Sequence, residues 1–114
     1  MPKVFGIHIV ELRPGVQAQD FEDFALQKFL PELKSLNAPG CEFHLLRADR
    51  GARQDKYVFM MVFDRVETRD KFFPRMDWAS PELIQLIQPL HPLGEIWEGL
   101  STREKTDYIQ LDEP

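Results

Sequence analysis

The chain has 114 residues, 43% of them hydrophobic and 29% charged, which is the composition of one soluble domain with a single core and too short for two. Fourteen Lys and Arg against nineteen Asp and Glu leave a net charge of −5 with the cations scattered, so a nucleic acid is not an expected partner. No apolar run approaches membrane-spanning length, the first residues lack the features of a secretory signal, and a lone Cys41 rules out an internal disulfide; the expected location is cytoplasmic, with no membrane contact.

In chain order, "KVFGIHIVELR" (3–13) alternates as a strand, and Pro14 and Gly15 end it. The segment 18–36 follows as a helix, with Phe21, Phe24, Ala25, Lys28 and Leu36 on or near one face and Asp20 and Glu22 suited to its N-terminal end. Pro31 inside it removes a donor and predicts a kink with a shifted apolar stripe. Two strands come next, "CEFHLLRAD" (41–49) and "KYVFMMVFD" (56–64), paired antiparallel through a loop containing Gly51. A short helix over 65–73 halts at Pro74, "RMDW" reads as a loop, and a helix over 80–88 starts with Ser80 as N-cap and Pro81 in its first turn. Pro89 and Pro92 then break the apolar pattern, "LGEIWEGL" adds a helical turn or two, His91 reads as a loop residue, and "TDYIQL" (106–111) is the last strand.

This order, β-α-β-β-α-β, is the ferredoxin-like α+β arrangement, one domain over 1–114 with helices on one face of a four-stranded antiparallel sheet. Strand 56–64 is apolar on both sides, Tyr57, Phe59, Met61 and Phe63 on one and Val58, Met60 and Val62 on the other. The helices can cover only one of these faces, so the second is expected to pack on another copy, giving a homodimer.

The pattern resembles the dimeric α+β barrel superfamily, which includes the antibiotic biosynthesis monooxygenases and the stress-responsive barrel proteins. The resemblance runs through "LRPG" (12–15), "PGC" (39–41), "LLRADRG" (45–51), "YVFMMVFD" (57–64) into "VETRDKFF" (66–73), and "TDYIQL". It implies two sheets meeting in a barrel at the dimer interface, with a ligand pocket between sheet and helices or at the barrel mouth. It implies no single activity, because one fold serves many.

Strand parity then sorts the candidate site residues. Phe5, Ile7 and Ile9 form the apolar set of strand one and are expected to meet the helices, leaving His8 on a mixed face. On the same argument Glu42 and His44 of strand two and Tyr108 of the last strand share that mixed surface. His8 and His44 are the candidates for proton transfer, imidazole being the side chain that titrates nearest neutrality. Tyr108, Trp78, Phe59, Met61 and Glu42 are the candidate ligand contacts, with Met60 and Met61 able to wall an adaptable pocket. The expected ligand is a small apolar or aromatic molecule, and the expected chemistry a cofactor-independent monooxygenation or isomerisation. No cofactor is expected, and three dispersed His with one Cys do not make a metal site. Two alternatives stand beside this reading: a noncatalytic binding or assembly module whose barrel is filled by side chains, and a haem-binding or haem-degrading protein. The second is implied by the haem-degrading branch of the superfamily, with Trp78 and His91 near the relevant positions and His8 in place of the expected Asn.

Overall fold

Strand β1 (Val4–Leu12) runs through the middle of the sheet, between β3 (Tyr57–Phe63) on one side and β4 (Ser101–Ile109) on the other, with β2 (Cys41–Arg47) beyond β3. Every neighbouring pair is antiparallel, so the order β2-β3-β1-β4 is that of a ferredoxin-like fold. The computed structural model describes residues 2–76 and 78–112.

The first helical stretch is three segments end to end: α1 (Ala18–Phe24), a π-helical turn (Ala25–Phe29) and α2 (Leu30–Lys34). Pro31 explains the turn. Its nitrogen carries no hydrogen for the Gln27 carbonyl, and its ring crowds that carbonyl. The local ladder widens, and the Leu30 N–H donates to the Ala25 carbonyl five residues back. The expected kink and shifted stripe are thus realised as an inserted residue, which turns Phe29, Leu30 and Leu33 onto the buried side with Phe21, Phe24 and Ala25. Lys28, placed on that face by spacing, is instead exposed.

Helix α3 (Val66–Phe72) stops before Pro74, and α4 (Pro81–Ile87) starts where Ser80 Oγ accepts a 3.2 Å hydrogen bond from the Leu83 N–H. Two expectations fail beyond this point. Pro89 and Pro92 do not break the chain into a loop, because each falls in a first turn, where a missing N–H costs no helical bond. A 3-10 turn (Gln88–Leu90) therefore leads into a full helix, α5 (His91–Leu100), which seats Trp97 2% exposed against Phe21 and Phe29. Strand β4 begins at Ser101, five residues before the expected 106, because "STREK" pairs with β1 along its whole length although its side chains are polar.

The helices cover the opposite face of β1 from the one expected. Val4, Gly6, His8 and Val10 are buried beneath them, aligned with Phe63, Met61, Phe59 and Tyr57 of β3. Phe5, Ile7 and Ile9 lie on the outer face and are half-buried. On β2, Cys41, Phe43 and Leu45 share the helix face, through partners Phe63, Met61 and Phe59. His44 pairs with Met60, which pairs with Ile7, so His44 is on the outer face. The two core histidines of the sequence point to opposite sides of the sheet.

Candidate functional site

The core on the helix side is divided. One cluster gathers around Phe21, Tyr57, Phe59 and Trp97, and the other around Val4, Phe63, Phe72 and Leu83, with Met61 touching both. Where they meet, sheet and helices enclose a cavity of about 310 Å³. Its floor is built by the central strands. His8, 6% exposed, presents its ring edge to Phe59 with centroids 5.4 Å apart and planes at 68°. Phe43, Met61 and Phe63 extend the floor, and Phe29 and Leu33 come down from the first helical stretch. The far wall is Phe72, Leu83 and Ile87, from α3 and α4.

The polar part of the lining comes from β4. Its helix-facing positions Arg103, Lys105 and Asp107 all border the cavity, and Lys105 is the register partner of His8. Successive same-face residues on a strand stand about 6.7 Å apart, so the three charges span roughly 13 Å of one edge. Asp107 accepts a 2.7 Å bond from Arg69, whose guanidinium also reaches Asp70 at 2.8 Å. Gly6 lies opposite, and a Cβ there would stand 3.3 Å from Asp107 Oδ1, so the bare backbone leaves room for that carboxylate over the sheet.

Cys41 also lines the cavity, but burial, helped by the charges of Glu42 and Asp64, pushes its thiol up to about 12. It stays protonated at neutral pH and is not a nucleophile. Outside the cavity, the Tyr57 hydroxyl donates to Glu22 Oε2 at 2.5 Å and Arg47 reaches the same oxygen at 3.0 Å. These bonds, the phenol's above all, hold the Glu22 carboxyl below its usual range against a smaller opposing effect of burial. They tie α1, and so the helical roof of the cavity, to the end of the sheet.

Of the residues named from sequence, His8, Phe59 and Met61 meet in this cavity. Glu42, His44 and Tyr108 are on the outer face and do not share a surface with His8. The cause is the assumption that the polar positions of each strand fall on one side, when the side under the helices carries His8 but also the most apolar residues of β3. Trp78 is 57% exposed and lies against Arg75, with 5.8 Å from guanidinium to ring. His91 is exposed at the start of α5, 3.5 Å from Glu95, and is not part of the cavity lining, so the haem alternative gains nothing from its position. Among the described residues no group of three or more His, Cys, Asp or Glu is placed to hold a metal ion, and no helix is long and apolar enough to cross a membrane.

Sequence reasoning missed Arg103 and Lys105 because the first half of β4 was not read as a strand, and Asp107, inside the expected strand, was not singled out. The signal was present: Thr102, Glu104 and Thr106 alternate with the three charged residues, and threonine favours strands.

Neither a family model nor a curated protein sequence matches the chain. Solved structures do. SnoaB, a cofactor-independent oxygenase from Streptomyces nogalater, superposes with a TM-score of 0.60 at 17% identity, over 99% of this chain and 97% of that one. A dabb family protein with a ferredoxin-like fold from Mesorhizobium loti gives 0.59 at 14% identity over 97% and 99%. A dimeric protein of unknown function from Bacteroides fragilis, also ferredoxin-like, gives 0.57 at 15% identity over 96% of each chain. At these identities the likeness concerns the fold alone, and that fold is ferredoxin-like.

Proposed function

We propose that this protein binds a small, largely apolar or aromatic molecule in the cavity between sheet and helices, and that it oxygenates such a substrate without a cofactor, with His8 accepting a proton. The observation that carries this reading is a cavity of about 310 Å³ walled by aromatic and aliphatic side chains, with an imidazole on its floor. That volume is at the small end of ligand pockets, and an apolar wall with a few convergent polar groups is their usual make-up. The fold shared with a cofactor-independent oxygenase supports the reaction class.

The chemistry follows from what the cavity contains. Dioxygen reacts with an electron-rich carbanion or phenolate far more readily than with the neutral parent, so a base beside an acidic C–H can suffice. His8 takes the proton and leaves the anion in the cavity. On anthrone, used as a probe, the net change would convert the CH₂ to a carbonyl, with one oxygen atom retained and the other leaving as water.

The same reading includes a second copy of the chain. Phe5, Ile7, Ile9, Val58 and Met60 form an outer sheet face that belongs to neither of the clusters holding the helices. A sheet face this apolar is more than a soluble monomer usually exposes, and one protein of the same fold is described as dimeric.

Oxygen uptake with anthrone, after chelator treatment, tests the reading. The wild type should accelerate uptake, and His8→Gln should lose about 10²-fold or more of the acceleration while still binding the probe. Equal rates in the two proteins would remove His8 from the mechanism. Absence of both binding and turnover would count against the cavity as a site for aromatic ligands.

A further inference from the structure

A carboxylate leans over the floor of the cavity, and its place there depends on a missing side chain. Gly6 and Asp107 are register partners on β1 and β4, and Gly6 is buried on the same face as His8, two residues on. A Cβ at Gly6 would lie 3.3 Å from Asp107 Oδ1 and 3.7 Å from the Met61 carbonyl oxygen. Glycine leaves that space to Oδ1, beside two residues, Met61 and Asp107, that both line the cavity. The other oxygen, Oδ2, accepts from Arg69 Nη1 at 2.7 Å, and Arg69 is itself held by Asp70 at 2.8 Å. Arg69 thus fixes the carboxylate and matches its charge while taking one of its two oxygens. Among the described residues no hydrogen bond reaches Oδ1, and an ionised carboxyl has about four acceptor positions to fill.

From this arrangement, and resting on the proposed binding role of the cavity, we infer that Asp107 Oδ1 is a specificity contact: it accepts a hydrogen bond from a neutral O–H or N–H donor on the ligand, and Gly6 keeps the space for that contact. The charge state follows from the pair. An anion would meet the carboxylate, and a cation would meet the Arg69 guanidinium already on it, so a neutral donor is the group that matches an oxygen whose charge is compensated. The position also orients the ligand. Same-face neighbours on a strand stand about 6.7 Å apart, so a ring anchored over Gly6 extends across the floor toward His8, Phe59 and Met61 and presents a different atom to the imidazole from the one that carries the donor.

Titration calorimetry with 1-naphthol and 1-methylnaphthalene, in which a methyl replaces the hydroxyl, tests the inference on the wild type, Asp107→Leu and Gly6→Ala. Asp107→Leu should lower the preference for naphthol over methylnaphthalene about tenfold, the lower end for a hydrogen bond to a charged group because the Asp107 side chain is 28% exposed. It should do so by weakening naphthol alone, a pattern that general destabilisation would not give, and Arg69 keeps Asp70 as its partner. Gly6→Ala, which crowds Oδ1 without removing it, should lower the preference in the same direction. A preference unmoved by both substitutions overturns the inference while leaving the cavity as a binding site. Tighter binding of protonated 1-naphthylmethylamine than of naphthol would make this a cation site and overturn it equally. If no probe binds the wild type, the binding role itself fails and the inference falls with it.

Discussion

Tyr57→Phe removes one hydroxyl from the clamp between sheet and helix, and its effect should depend on pH in a defined way. The Tyr57 ring is 3% exposed and its hydroxyl donates to Glu22. Burial first, and then the bond to Glu22, push the phenol from 10 up to about 12. A folded value above the unfolded one means a contribution that is fully present below pH 10 and is lost as pH rises toward 12. At about 1.4 kcal/mol per pH unit the loss is at most about 2–3 kcal/mol, and less after solvent at the open side of Glu22 is allowed for. Glu22 runs the other way. Its carboxyl is held low, chiefly by the same hydroxyl, so its contribution is present above the unfolded value near 4.3 and is lost as pH falls through the folded one. Near pH 7 the variant should cost about 1–2 kcal/mol, the lower part of the range for a hydrogen bond to a charged group, because Arg47 remains on the carboxylate. Urea unfolding followed by tryptophan fluorescence from pH 3 to 12 measures all three quantities. The wild-type advantage over Tyr57→Phe should be widest between about pH 5 and 10 and should shrink at both ends. An advantage that is constant across the range would refute the coupling.

Further substitutions test the turn and the outer face. Gly40 has φ +82°, and a Cβ there would stand 2.8 Å from the Asp64 carboxylate, which accepts from Thr68 at the start of α3. Gly40→Ala should therefore cost about 2–3 kcal/mol in chemical denaturation, against about 1 kcal/mol for Gly15→Ala, where φ is +84° but nothing lies within 4 Å; equal costs would mean that the Asp64 contact is immaterial. Met60→Glu puts a charge on the outer face between Ile7 and His44, away from both core clusters. Sedimentation at micromolar concentration should show a wild-type dimer and a folded Met60→Glu monomer, and a monomeric wild type would contradict the dimer.

The order of elements was legible because each is marked locally: the alternation of β1 and β3, Ser80 with Pro81 opening α4, Pro74 closing α3. What could not be read is which face of the sheet the helices cover. With Tyr57–Phe63 apolar on both sides, periodicity fixes two sets of side chains without saying which lies under the helices, and a single wrong parity for β1 moved His8 away from its true neighbours and toward His44. The polar half of β4 was obscured for a different reason. Its place in the sheet comes from backbone pairing to β1, and its side chains carry no hydrophobic signal. The cavity's charged edge was hidden with it, whereas Phe59 and Met61, on a strand of unmistakable character, were found.

Met60 and Met61 are consecutive and face opposite sides of the sheet, which makes their methyl groups direct reporters of where a ligand sits. With ¹³C-methyl methionine, titration with 1-naphthol should shift the Met61 resonance strongly and saturably, move that of Met76 at the cavity wall, and leave Met60 unchanged. A saturable shift of Met60 with Met61 unmoved would place the ligand on the outer face and contradict the account.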